Sequence, residues 1–125
     1  MQVLVTGSAG RIGQVLITGL RERHNVRGYD LQPTPNVDDC VVADLSDLER
    51  LTSAAEGMDG FIHLGGVVGG ARRWEEVLQS NIIGTRNALE ASRRQGIRRF
   101  VFASRAGLLE AYPRQLMRTV DLPTR

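Results

Sequence analysis

The sequence predicts an α/β fold, a doubly wound parallel sheet of about five strands in the order 3-2-1-4-5 with helices on both faces. Two observations carry this expectation. Short apolar, β-branched runs alternate with stretches whose apolar residues recur at helical spacing, and parallel neighbours need such crossover connections. The first apolar run also ends in a glycine-rich turn that opens directly into the first helical stretch.

Gln2 to Thr6 (QVLVT) reads as the first strand. From Ile12, the residues Val15, Leu16 and Leu20 continue a helical pattern that His24 and Asn25 break. Val26 to Asp30 is the second strand, and a proline-containing loop (LQPTPNVDD) follows it. Cys40 to Ala43 (CVVA) is a short third strand. Ser46-Asp-Leu-Glu49 has the form of a capping box, so a helix is expected from there to about Glu56. Phe61 to Leu64 is the fourth strand, followed by the loop GGVVGGARR. The longest helix is expected over Trp74 to Gln95, with Leu78, Ile82, Thr85 and Leu89 on one stripe and Gly96 ending it. Arg99 to Ala103 (RFVFA) is the fifth strand. Residues 1–104 form the expected domain, and 105–125, with Pro113 and Pro123, read as a loop-like tail.

With 125 residues, 42% of them hydrophobic, the chain is sized for one domain. No apolar run reaches the roughly 20 residues of a bilayer span, and the start MQVLVTGSAG lacks a signal-peptide layout. Cys40 is the single cysteine, which excludes an internal disulfide and a cysteine-based zinc site. No metal site is expected, and the compartment expected is the cytoplasm. All the basic residues are arginines. Without lysine the chain has no P-loop lysine, no Schiff base and no Tyr-Lys pair of its own. The net charge is only +2, and the pairs Arg72-Arg73, Arg93-Arg94 and Arg98-Arg99 are dispersed among acids. A concentrated basic face, which nucleic-acid binding needs, is therefore not expected.

The chemistry is concentrated in Thr6-Gly-Ser-Ala-Gly-Arg-Ile-Gly13. Gly7 suits the tight strand-to-helix turn, Gly10 a close approach of backbone to a pyrophosphate, and Gly13 close packing of helix on strand. The amides of Arg11 and Ile12 at the helix start, with the helix dipole, are placed to bind phosphate. Asp30 ends the second strand, 17 residues past Gly13. A carboxylate there accepts hydrogen bonds from a ribose 2′-hydroxyl and repels a 2′-phosphate, which favours NAD over NADP. The plainer reading of Asp30 is a turn or capping residue.

TGxxGxxG at the N-terminus, Asp30, Asp44-Leu45, His63-Leu-Gly-Gly66 and Asn81-Ile-Ile-Gly-Thr85 together resemble the extended short-chain dehydrogenase/reductase family, the NAD-dependent epimerase/dehydratase group with a Rossmann-type fold. Within it, HLGG, NIIG and VFAS are most similar to the uronate (hexuronic acid) dehydrogenases. The resemblance covers essentially the whole chain. It implies NAD as cofactor, with Asp30 and Leu31 at the adenosine ribose and Asp44 and Leu45 bordering the adenine. Leu64, Gly65 and Gly66 would line the nicotinamide ribose, and Asn81 would support the active-site region. It implies a sugar-type substrate. A homodimer is expected on a different ground: a sheet ending at the fifth strand leaves Phe100 to Ala103 as an unpaired apolar edge, which the tail from Arg105 or a second copy would cover. Read alone, Asp44 is also a loop residue, His63 a satisfied strand histidine, Trp74 a packing residue, Asn81 a ligand of backbone and Cys40 a core residue.

The sequence departs from that family in three places. Its reaction needs Tyr-x-x-x-Lys, with tyrosine exchanging the proton and lysine lowering its pKa. Here Pro33 and Leu116 stand four residues after Tyr29 and Tyr112. The chain therefore reads as truncated before its catalytic helix and inactive alone. Where extended members show a serine pair, Ser104 is followed by Arg105, leaving Ser104 as the candidate catalytic serine. Val68 stands where the uronate enzymes suggest a substrate-contacting serine. The leading expectation is the NAD-binding part of an oxidoreductase or epimerase acting on a sugar acid or nucleotide sugar. The alternative is a non-catalytic NAD(P)-binding sensor or regulatory module.

Overall fold

A computed structural model describes residues 1–69 and 72–105. Its sheet has five parallel strands in the order β3-β2-β1-β4-β5, the order expected. They are β1 (Gln2–Thr6), β2 (Asn25–Asp30), β3 (Cys40–Val42), β4 (Gly60–His63) and β5 (Arg99–Phe102). Helices α1 (Arg11–Leu20) and α2 (Leu48–Ala54) make the first crossovers. The last crossover runs α3 (Trp74–Val77), a π-helical turn (Leu78–Ile83) and α4 (Gly84–Arg94).

β1 is central, pairing with β2 through Val3↔Val26 and with β4 through Val3↔Gly60. Its side chains alternate between two cores, as the pleat requires. Val3 and Val5 pack with Ile17 of α1 on one face. Leu4 joins Tyr29, Phe61, Leu51, Ala88 and Ala91 on the other, under α2 and α4. Burial on both faces is why β1 reads as a continuous apolar run.

Several expectations are corrected. The buried residues of α1 are Gly13 and Ile17, whereas Ile12 and Val15 of the expected stripe are 69% and 76% exposed. On α4 the buried residues are Gly84, Asn87, Ala88, Ala91 and Ser92, while Ile82 and Leu89 are about half-exposed. Small side chains let α4 sit close on α2 and the sheet, so they, and not the large apolar residues, mark its inner face. The long helix is not uniformly α-helical, because a π turn interrupts it. Trp74, expected to pack at its start, is exposed. Gly96, at φ 68°, takes the left-handed conformation that ends α4.

The cap of α2 is Asp47, not Ser46: its carboxylate accepts from the Arg50 amide at 2.9 Å. Asp44 explains the shift, since its own carboxylate captures the Ser46 amide at 2.8 Å and moves the helix start by one residue. The helix ends at Ala54, short of Glu56. Cys40 is half-buried, taking hydrogen bonds with Thr34, whose hydroxyl also meets Ser8. The expected loop-like tail beyond Arg105 lies outside the described residues, as does Tyr112.

Candidate functional site

The carboxyl ends of β2, β1 and β4 open onto one groove of about 180 Å³. It lies where the strand order reverses, the place at which parallel α/β sheets accept ligands. Its first wall is the turn between β1 and α1. Gly7 has φ 69°, and a Cβ on it would stand 2.7 Å from the Gly65 amide nitrogen. The β1 turn and the loop after β4 therefore touch through bare backbone. A Cβ on Gly13 would stand 2.2 Å from the Gly7 carbonyl oxygen, so helix and turn are as closely packed as the sequence expectation requires. Gly10 caps α1 through its backbone with no side-chain hydrogen bond. The amides of Arg11, Ile12 and Gly13 have no acceptor one turn back, which makes the helix start suited to an anion.

Asp30 sits at the end of β2, facing that turn. One carboxylate oxygen accepts from the Ala9 amide at 3.1 Å and the other from the Gln32 amide at 3.3 Å. The carboxylate keeps further lone pairs for a ligand hydroxyl. Leu31, Asp44 and Leu45 border the groove beside it. Leu45 is wedged between two glycines: a Cβ on Gly65 would meet its Cδ1 at 2.7 Å, and one on Gly84 its Cβ at 2.9 Å. Tyr29 closes the floor, its hydroxyl donating to the Asp44 carbonyl at 2.8 Å. Burial, then the charges of Asp47 and Asp44, push the Tyr29 phenol well above its ordinary pKa. A tyrosine so placed holds its proton and anchors a loop.

His63 is fully buried at the end of β4. Its Nδ1 lies 2.7 Å from the Thr6 hydroxyl and its Nε2 lies 3.2 Å from the Thr85 hydroxyl. The neutral ring satisfies both contacts, one nitrogen donating and the other accepting. Burial lowers its pKa from 6.5 to about 4. Thr6 also accepts from the Gly65 amide at 3.3 Å. The plainer reading of His63, a satisfied strand histidine, is therefore the one the geometry gives.

Beyond Gly66 the groove widens into a cavity of about 800 Å³ over β4 and β5. Asn81, in the π turn, accepts from the Val67 amide at 2.8 Å and donates to the Val67 carbonyl at 3.0 Å. It holds the loop after β4 in place by both backbone groups of one residue. Ser104 and Arg105 lie across the cavity, at the end of β5.

The structure thus brings Gly7, Gly10, Asp30, Leu31, Asp44, Leu45, Leu64, Gly65 and Gly66 to one groove. Asn81 and Ser104 line the adjoining cavity, which shares Leu64, Gly65 and Gly66. Arg11 and Ile12 stand exposed on α1 and line neither, although their amides face the turn's end of the helix. Sequence reasoning missed Thr6, Ser8, Thr34 and Thr85, buried or half-buried hydroxyls that tie the groove's walls together. Their partners lie 22 to 57 residues away in the chain, and no local pattern marks them.

A Rossmann-type sheet with a glycine turn and an acidic β2 terminus defines a dinucleotide-site architecture. The profile of the NAD dependent epimerase/dehydratase family matches residues 3–121. The chain belongs to that family. It is 38% identical over 128 residues to a uronate dehydrogenase of Agrobacterium fabrum, covering 99% of this chain and 48% of that protein. The crystal structure of a uronate dehydrogenase mutant from Agrobacterium tumefaciens complexed with NAD matches with a TM-score of 0.88 at 37% identity, over 99% of this chain and 48% of that one. MoeE5 in complex with UDP-glucuronic acid and NAD matches with a TM-score of 0.78 at 32% identity, over 86% of this chain and 38% of that one. The chain spans about half the length of the uronate dehydrogenase it matches.

Proposed function

We propose that this chain binds NAD and forms the cofactor-holding part of an oxidoreductase or epimerase that acts by hydride transfer on a sugar acid or nucleotide sugar. The observation that carries the reading is Asp30, a carboxylate at the end of β2 fixed by the Ala9 amide beside the glycine turn. The groove fits the group: Gly7 and Gly13 leave no room for side chains, and the α1 amides lack intrahelical acceptors. Gly7, Gly10 and the amides of Arg11, Ile12 and Gly13 would hold the pyrophosphate. Asp30 and Leu31 would meet the adenosine ribose, and Asp44 and Leu45 the adenine. Leu64, Gly65 and Gly66 would line the nicotinamide ribose, with Asn81 positioning their loop and Ser104 facing the substrate. When bound, the nicotinamide accepts or returns the hydride.

The likeness to uronate dehydrogenases supports an enzyme over a non-catalytic sensor. A cytoplasmic setting and a homodimer belong to the same proposal. Among the described residues no helix is long and apolar enough to cross a membrane. The outer strand of the described sheet, β5, leaves Val101 and Phe102 more than half exposed, an edge that further strands or a second copy would cover.

Calorimetric titration with the two dinucleotides tests the cofactor reading. Asp30→Ala should weaken NAD binding on the order of tenfold or more, since hydrogen bonds to a charged group contribute about 1.5–3 kcal/mol. NADP binding should fall less, because the lost carboxylate also repelled a 2′-phosphate. Asp30→Asn keeps an acceptor for the Ala9 amide and separates charge from loop support. Equal losses for both dinucleotides would remove Asp30 from the ribose.

The 125-residue chain alone should not turn over glucuronate, galacturonate or UDP-glucuronic acid with NAD. Tyr29 is buried and bonded to Asp44, and the sequence contains no lysine. NADH formation above a no-protein control would require another proton carrier within these residues.

A further inference from the structure

The loop that leaves β2 is fastened to the glycine turn at two points. At the first, the Ala9 amide donates to the Asp30 carboxylate at 3.1 Å. At the second, further along the loop, the Thr34 hydroxyl hydrogen-bonds the Ser8 hydroxyl. Ser8 and Ala9 are neighbours, so Asp30 to Thr34 and Ser8 to Ala9 close a ring that carries Leu31, which borders the groove. The second fastening is buried, with Ser8 0% and Thr34 4% exposed. β2 makes room for it at Gly28, where a Cβ would stand 2.6 Å from Thr34 Oγ1 and 2.9 Å from Ser8 Oγ.

Thr34 is presented by a stiff segment. Pro33 before it has its own φ fixed, and Pro35 after it holds Thr34 to extended backbone. The Val37 amide donates to the Thr34 carbonyl at 3.3 Å. That bond closes a turn with Pro35 second and Asn36, at φ 59°, third, the residues that a type II turn favours. Arg21, at the end of α1, donates to the Asn36 carbonyl, and the Thr34 amide donates to Cys40 Sγ at 3.3 Å. Neither Ser8 nor Thr34 lines the groove, so whatever they do for a ligand they do through their neighbours.

We propose that Thr34 is a positioning residue for the adenosine half of the dinucleotide and contributes to the choice of NAD over NADP. Acting through Ser8, it holds the Ala9 amide where that amide orients the Asp30 carboxylate toward the ribose 2′-hydroxyl. Without the Thr34 hydroxyl, Ser8 is left buried and unpaired, and the turn shifts to find it another partner. Asp30 then loses its fixed orientation. That harms a 2′-hydroxyl, which the carboxylate binds, more than a 2′-phosphate, which it repels. The proposal rests on the reading of this groove as the NAD site.

The test uses the 125-residue chain, titrated calorimetrically with NAD, NADP and ADP-ribose, which keeps the adenosine end without the nicotinamide. Thr34→Val and Ser8→Ala should each weaken NAD and ADP-ribose by the same factor, roughly fivefold or more. Each should also lower the preference for NAD over NADP by about threefold or more. Thr34→Ser should keep both affinity and preference within about twofold of the unsubstituted chain. Ser8→Ala leaves no unpaired hydroxyl on the turn, so it decides the matter where Thr34→Val does not fold. Equal losses for NAD and NADP would mark a merely structural tie and overturn the proposal. Unchanged NAD affinity in the folded variants, a loss for NAD without one for ADP-ribose, or no rescue by serine would overturn it too. Failure of the unsubstituted chain to bind NAD would instead overturn the cofactor reading.

Discussion

Gly13→Ala should destabilise the chain by about 3 kcal/mol or more, at the upper end of the overpacking range, and should abolish dinucleotide binding. The added methyl would stand 2.2 Å from the Gly7 carbonyl oxygen and 2.8 Å from both Cα and O of Ser8. All three are backbone atoms, so no rotamer change relieves the clash. Relief requires α1 to move off the β1 turn, which breaks the Val3, Val5 and Ile17 packing beneath it. The same movement pulls the α1 amides away from the groove. Thermal melts should show a loss of roughly 10 °C or more, given about 4 °C per kcal/mol, between the values for smaller and larger domains. Gly19→Ala is the matched control on the same helix. A Cβ there meets nothing within 4 Å, so it should stabilise by up to about 1 kcal/mol through lower unfolded-state entropy. A Gly13→Ala protein that melts with the wild type and binds NAD would show that the turn tolerates displacement, and the close-packing argument would fail.

The glycine turn is legible in the sequence because it is a local feature with a physical demand at each position. Strand order comes from the alternation of apolar runs and helical stretches, which leaves few topologies. Helix faces are misread for a different reason. Periodicity weights large apolar residues, yet α4 is buried through Gly84, Ala88, Ala91 and Ser92. Small residues contribute little to a hydrophobic pattern but determine how near two backbones come. The π turn at Leu78–Ile83 then rotates α4 relative to α3, so a single 3.6-residue stripe cannot run from Trp74 to Gln95. At α2 the difference is a competition between two caps, decided when Asp44 takes the Ser46 amide. The groove's acidic and glycine positions are visible in the sequence, whereas the hydroxyl ties among Thr6, Ser8, Thr34 and Thr85 depend on residues that only the fold brings together.

His63 should make the protein's stability fall steeply between pH 6.5 and about 4. In the unfolded chain an ordinary histidine binds its proton near pH 6.5. In the folded protein burial among Phe61, Phe100 and Phe102 delays protonation to about pH 4. Across that window the unfolded state binds more protons, so stability rises with pH and is lost on acidification. The contribution is fully present above pH 6.5 and gone below about 4. At 1.36 kcal/mol for each pKa unit, it amounts to roughly 3 kcal/mol. Glu90 is held down to about 2 by hydrogen bonds from Arg93 and Arg94. It belongs to a lower window, below the ordinary carboxylate range, and leaves the upper part of the histidine window undisturbed. Unfolding free energies from urea titrations should therefore stay level from pH 7.5 to about 6.5 and then fall towards pH 4.5 along a slope approaching 1.36 kcal/mol per pH unit. His63→Gln keeps hydrogen-bonding groups near Thr6 but has no titration in this range. It should start about 1–2 kcal/mol less stable, from imperfect pairing with Thr85, and show a much flatter profile. A wild-type midpoint that stays level from pH 6.5 to 4.5 would mean that the buried ring accepts its proton as readily as a solvated one. That result would contradict the burial of His63 between β4 and α4, on which the link from the glycine turn to the Asn81 segment depends.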